Sequence, residues 1–76
     1  NLSGISIYSL LHTVVINNTS NLSGEAWIYD LTGRELTHAA ITSKGETRIP
    51  VNAAVGNYIV KVITDQGVTS QKVFIR

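Results

Sequence analysis

Short segments in which every second residue is apolar recur along the whole of this chain. A spacing of two places the apolar side chains on one face of a β-strand, because successive residues of a strand point to opposite faces. No window of eleven residues repeats apolar positions at helical spacing. The pattern predicts an all-β fold. The alternating residues that we expect in its core are Val14, Ile16, Ala26, Ile28, Tyr58, Val60 and Val62.

Gly, Asn, Asp and Ser separate these segments from one another. Seven short strands divided by turn signals favour a β-sandwich of mostly antiparallel strands. The segment 57–64 is expected to be a central strand, because Ile59 and Ile63 make its second face largely apolar as well. The predicted strands cover residues 5–9, 12–17, 25–30, 34–41, 46–51, 57–64 and 68–75.

Several turns carry residues with a specific conformational role. Asp30 is placed to accept a hydrogen bond from the backbone two residues on, and Gly33 permits a positive φ. The sequence Ser43-Lys44-Gly45 has the same combination of a polar residue and a glycine, and it predicts another turn. The sequence Asp65-Gln66-Gly67 predicts a three-residue hairpin loop with a bulge at the glycine. The polar segment 17–24 is predicted to be the longest loop and the crossing between two sheets.

Size and composition indicate a single domain, residues 1–76. The 76 residues are 43% hydrophobic and 14% charged, and the absence of cysteine excludes disulfides and thiolate metal sites. A net charge of +1 with scattered basic residues makes nucleic acid an unexpected partner. No apolar run approaches the roughly 20 residues of a membrane-spanning helix, so no membrane insertion is expected. The start, Asn1-Leu2-Ser3-Gly4, has no secretory signal pattern and is interpreted as a cut from a longer protein.

The residue types of a hydrolase triad occur, but not in a pattern that predicts catalysis. Ser9, His12, His38, Asp30 and Asp65 could supply such a triad, yet the chain has no nucleophile elbow. His12 and His38 lie far apart in the sequence without an acidic pair to complete a zinc site. We therefore expect no enzyme activity, no catalytic residue, no metal and no cofactor.

Trp27 leaves two interpretations open. An exposed indole ring could act as a platform for sugar, as in a carbohydrate-binding module. The indole could equally pack against side chains of a neighbouring strand, and this structural interpretation is the favoured one. An adhesive or sugar-binding surface module is therefore kept as an alternative function, with a structural spacer as a third.

Four segments stand in a characteristic order. They are an aromatic-Asp-x-x-Gly turn within Trp27 to Leu36, the segment Arg48-Ile49-Pro50-Val51, a Gly-x-Tyr-aliphatic-Val strand within Ala54 to Val62, and Lys72-Val73-Phe74-Ile75-Arg76. Together they resemble the C-terminal sorting domain of type IX secretion system cargo proteins in Bacteroidetes. Many members of that family carry Tyr-Pro-Asn-Pro near the start, where this chain has Tyr8-Ser9-Leu10-Leu11.

The resemblance implies an Ig-like sandwich of seven strands that follows an N-terminal cargo domain. It also implies a sorting signal that the outer-membrane translocon recognises after the cargo has entered the periplasm. A cell-surface sortase then cuts upstream of the domain, here at or before Asn1, so the domain is a substrate and not a catalyst. The cargo ends at the cell surface or in the extracellular space.

The residues that carry the resemblance divide into two groups. Asp30, Gly33, Gly56 and Tyr58 are interpreted as mainly structural, with Gly56 letting the chain enter a crowded strand. For Lys72, Val73, Phe74, Ile75 and Arg76 a structural role and translocon binding remain equally open, because a last strand has an open edge and a basic end beside it. A homodimer through edge strands is also possible on this ground.

Overall fold

The computed structural model describes residues 4–76, and every predicted strand is present within one residue of its predicted bounds. The expected cut at or before Asn1 lies outside the described residues. Residues 4–76 contain no helix long and apolar enough to span a membrane. The strands are β1 (Ile5–Leu10), β2 (Thr13–Asn18), β3 (Gly24–Tyr29), β4 (Glu35–Ile41), β5 (Gly45–Pro50), β6 (Gly56–Thr64) and β7 (Gly67–Ile75).

The strands form two sheets, one in the order β1-β2-β5 and one in the order β4-β3-β6-β7. All pairings are antiparallel. The predicted Ig-like β-sandwich is therefore confirmed. In constant-type immunoglobulin domains the fourth strand pairs with the fifth, whereas here β4 lies beside β3 in the larger sheet.

The core is formed by the inward residues of both sheets, and all seven predicted core residues are buried. Strand β6 is central, as predicted, because it pairs with β3 on one side and β7 on the other. Its second face is partly covered: Ile59 is half-buried, while Ile63 is 38% exposed. The core cluster consists of Val14, Ile16, Ala26, Ile28, Ile41, Ile49, Val51, Tyr58, Val60, Val62, Val73 and Ile75.

The prediction for the β6–β7 turn is wrong in one respect. Thr64 pairs directly with Gly67, so the loop has two residues and Gly67 begins β7. The Thr64 hydroxyl accepts a hydrogen bond from the Gln66 backbone N–H at 3.1 Å, which stabilises this tight turn without a third loop residue. The register of β6 and β7 has no break, and the irregularity in the larger sheet lies instead between Ile28 and Tyr29 in β3.

The segment after β2 crosses between the sheets as predicted. It is not longer than every other loop, because its five residues, 19–23, equal the loops 30–34 and 51–55 in length. Asn18 is buried at this crossing, and its Nδ2 donates to the carbonyl oxygens of Leu22 and Thr42. The turn after β4 differs from its prediction, because Lys44 takes the positive φ of 51° and Gly45 begins β5. The hydrogen bonds of Asn18 thus hold two sheet crossings together.

Candidate recognition surface at the end of the last strand

The last five residues alternate between the core and the surface. Strand β7 is an edge strand that pairs with β6 alone within its sheet. Val73 and Ile75 are buried in the core cluster, whereas Lys72, Phe74 and Arg76 are exposed. Only these three side chains of the predicted five can therefore contact a partner while the domain is folded.

Phe74 and Arg76 form one exposed unit. The Phe74 side chain is 44% exposed, and the Arg76 guanidinium carbon lies 5.6 Å from the centre of its ring. A guanidinium over an aromatic face at this distance is a cation–π contact. The pair presents an apolar ring and a positive charge side by side.

The free edge of β7 is closed near its end by β1. The Ser9 hydroxyl donates to the Phe74 carbonyl oxygen at 2.6 Å, and the Arg76 N–H donates to the Leu11 carbonyl oxygen at 3.2 Å. Because backbone groups of a strand alternate in direction, Lys72 directs its own N–H and C=O to this same side. The Lys72 carbonyl oxygen accepts a hydrogen bond from Gln71 Nε2 at 3.3 Å, within β7 itself. The contacts with β1 and its turn therefore begin at Phe74.

Neither Ser9 nor Leu11 was expected at this site from the sequence. Ser9 is separated from Phe74 by 65 positions, and periodicity identifies the face of a residue within its strand but not its partner in another sheet. The sequence carries no local signal for this contact.

Tyr58 fixes the corner that leads into β6. Its hydroxyl donates to the Ala54 carbonyl oxygen at 2.5 Å, an arrangement that matches the tyrosine corner at the start of the sixth strand in Ig-like sandwiches. Gly56 follows the same corner with a φ of 159°, and a Cβ there would meet no atom within 4 Å. Backbone conformation, and not the crowding expected from the sequence, accounts for this glycine.

Asp30 organises the turn between β3 and β4. Its Oδ1 accepts hydrogen bonds from the Thr32 N–H, the Thr32 hydroxyl and the Arg34 N–H, and Gly33 has a φ of 94°. The Thr32 hydroxyl and the Arg34 backbone N–H lower the pKa of Asp30. The Arg34 side chain adds an ion pair, with its Nε 3.3 Å from Asp30 Oδ2.

A family model described as the secretion system C-terminal sorting domain matches residues 6–76, nearly the whole chain. The chain belongs to this family. The resemblance seen in the sequence is thereby confirmed, and the domain is a C-terminal sorting signal of type IX secretion. Such a domain interacts with the type IX machinery, follows an N-terminal cargo, and directs export to the cell surface or extracellular space. A search of curated proteins finds no significant match.

In the sorting domain, two of the residues predicted as triad candidates, Ser9 and His38, lie in different sheets. Ser9 lies in β1 and bonds to β7, while His38 lies in β4, the far edge of the other sheet. His38 Nδ1 is 3.0 Å from Glu35 Oε2, so its nearest carboxylate partner is its own neighbour in sequence. Within residues 4–76, no three His, Cys, Asp or Glu side chains come together in a way that could hold a metal.

Trp27 packs across strands in the sorting domain. Its ring stacks on that of His38 in the paired strand β4, with centroids 4.5 Å apart and planes inclined by 22°. The side chain is half-buried, and the indole N–H is buried without a hydrogen-bond partner among residues 4–76. One ring face is therefore occupied by His38, which favours the packing interpretation over a sugar platform.

Proposed function

We propose that the outer-membrane translocon binds the folded sorting domain through the exposed residues at the end of β7. The supporting observation is the alternation there, in which Val73 and Ile75 are held in the core while Lys72, Phe74 and Arg76 face outward. Cores are rigid and well packed, so this anchoring presents the three outer side chains in one fixed geometry. Pre-organisation of this kind lowers the entropic cost of binding.

The domain acts in this proposal as a substrate of the secretion route and not as a catalyst. Cargo carrying residues 1–76 as its sorting domain enters the periplasm, crosses the outer membrane, and is released when a cell-surface sortase cuts at or before Asn1. Such a cut would leave all seven strands intact, because β1 begins at Ile5. The proposal therefore requires no rearrangement of the sandwich for cleavage.

The test is export of a reporter. Residues 1–76 are fused behind a periplasmic protein that is foreign to the route, in a host with a functional type IX system and in a matched host without the translocon. We expect surface or extracellular reporter only in the first host. Periplasmic retention in both hosts would contradict the proposed function.

The residues are tested by point substitutions that spare the core. Deleting 72–76 would also remove Val73 and Ile75 from the core, and the loss of export could then reflect unfolding. Phe74→Ser and Arg76→Glu change only exposed side chains, and we expect each to trap the reporter in the periplasm. Normal surface display of the doubly substituted, folded domain would contradict recognition through β7.

A further inference from the structure

Three segments distant in sequence meet at the end of the sandwich where β7 finishes. The Arg76 N–H donates to the Leu11 carbonyl oxygen at 3.2 Å, which links β7 to the β1–β2 turn. The Val51 N–H donates to the His12 carbonyl oxygen at 2.8 Å, which links that turn to the loop 51–55. The loop in turn leads into Gly56, the residue that pairs with Ile75.

These segments expose large apolar side chains next to the recognition residues. The exposed fractions are 64% for Leu11, 68% for Val55 and 44% for Phe74. Contiguous exposed apolar surface on a soluble domain marks an interaction site more often than scattered single residues do. We call Leu11, Val55, Phe74 and Arg76 the end patch.

Leu11 is held in an unfavourable backbone conformation. Its φ is 57°, and within residues 4–76 Lys44 is the only other non-glycine residue with a positive φ. Bulky residues rarely adopt this region, which glycine enters without cost. The Leu11 side chain is mostly exposed, so packing inside the domain does not explain a leucine there. The two-residue turn between Leu10 and Thr13 requires a positive φ at this position but does not require a leucine. A bulky, exposed side chain kept there points to contact with another molecule.

The two charged side chains at the end of β7, Lys72 and Arg76, are both basic. Within residues 4–76 neither Lys72 nor Arg76 forms a salt bridge, whereas Asp30 is paired with Arg34 and Glu46 with Arg48. Glu35 contacts His38 on β4, which is the opposite edge of the sheet from β7. The other two carboxylates, Glu25 and Asp65, form no salt bridge with any of the described residues 4–76. Both lie at the other end of β6, because Glu25 pairs with Ile63 and Asp65 lies in the β6–β7 turn. The end patch is therefore apolar with a basic border.

We propose that the end patch is one continuous docking surface, and that its occupant is a translocon protein whose contact surface is apolar with an acidic border. This inference rests on the proposed function and extends the recognition site from β7 to the β1–β2 turn and the loop 51–55. Complementary charge orients such a partner, while the apolar side chains supply most of the affinity.

Leu11→Gly provides a sharp test, because it removes the exposed side chain and relieves the positive φ. We expect export of the reporter to fall by at least about fivefold, as for the loss of an interface anchor, while the thermal midpoint of the domain stays equal or rises. Lys44→Gly is the matched control: it relieves the same backbone conformation at the opposite end of the sandwich. Its export should equal that of the unsubstituted domain.

The charge of the partner is tested separately. Arg76→Glu should reduce export more than Arg76→Gln, because only the first would repel an acidic border. Equal effects of the two substitutions would overturn the proposed charge of the partner.

The outcomes separate this inference from the proposed function. If the unsubstituted fusion is not exported, the proposed function itself fails. If Phe74→Ser stops export while Leu11→Gly leaves it normal, recognition through β7 stands and the end patch is wrong. Sedimentation of the isolated domain should give a monomer for both the unsubstituted and Leu11→Gly forms. A dimer that Leu11→Gly dissociates would show that a second copy covers the patch, and would overturn the proposed occupant.

Discussion

The Ser9 hydroxyl donates a hydrogen bond of 2.6 Å to the carbonyl oxygen of Phe74. The contact joins the first strand of one sheet to the last strand of the other. It satisfies the Phe74 carbonyl oxygen, which points away from β6. Together with the bond from the Arg76 N–H to Leu11, it holds the end of β7 against the sandwich. Phe74 and Arg76 therefore owe their fixed position to β1 as well as to β6.

Ser9→Ala should loosen the end of β7 without unfolding the domain. The substitution removes the donor to Phe74, and edge residues with fewer hydrogen bonds open more readily. We expect faster hydrogen exchange of the Arg76 amide, measured by NMR. Ser6→Ala, an exposed change in the same strand, serves as the control and should leave that exchange rate unchanged. Equal exchange in both variants would show that Ser9 does not hold the strand.

Tyr58→Phe should lower the free energy of unfolding by about 1 kcal/mol, the net value of a hydrogen bond. The phenyl ring would still fill its place in the core, but the bond to Ala54 would be lost. Urea denaturation measures the effect. Tyr8→Phe, at a ring that is 48% exposed, is the matched control and should change the unfolding free energy by much less. A similar loss in both variants would argue against the corner as its cause.

Val60→Asp should unfold the domain. Val60 is fully buried in the central strand, and a buried carboxylate without a partner costs several kcal/mol of a total stability of only about 5–15 kcal/mol. Circular dichroism should show the loss of β-structure. The control is Val68→Asp, in the paired strand and 47% exposed, and this variant should remain folded. A folded Val60→Asp protein would contradict the assigned core.

The stability of the domain should depend on pH through Asp30. Its pKa in the folded state is lowered from 3.8, first by the Thr32 hydroxyl and then by the Arg34 N–H. A group with a depressed folded pKa stabilises the fold above its unfolded value, and the contribution disappears as pH falls through the folded pKa. Asp30→Asn should therefore have a lower thermal midpoint than the unsubstituted domain at pH 7, and the difference should shrink below about pH 4. A difference independent of pH would contradict this assignment.

The strands and most of the core were predictable from the sequence because they depend on local alternation. Tyr58, Val60 and Val62 define their buried face within one strand. Ile41 and Ile49 were missed because their strands carry few other apolar residues on the inward face. A turn conformation that depends on one side chain could not be predicted either. An example is the two-residue turn that the Thr64 hydroxyl stabilises.

The proposed recognition site was predictable only as a segment. The order of motifs located Lys72 to Arg76, but the division of these residues between core and surface depends on the register of β7 against β6. The β1–β2 turn gave no signal, because its closeness to Arg76 arises from the packing of the two sheets and not from a local pattern.

With recognition through β7 as proposed, the alternation along this strand makes the sorting signal conditional on folding. In an unfolded chain Val73 and Ile75 would be exposed together with Phe74, as one apolar run without a defined shape. Once the sandwich has closed, Val73 and Ile75 lie in the core and Phe74 and Arg76 stand together on the outside. A receptor that binds the latter arrangement selects molecules whose last strand is already in place. The residues proposed for recognition would therefore also report that the domain has folded.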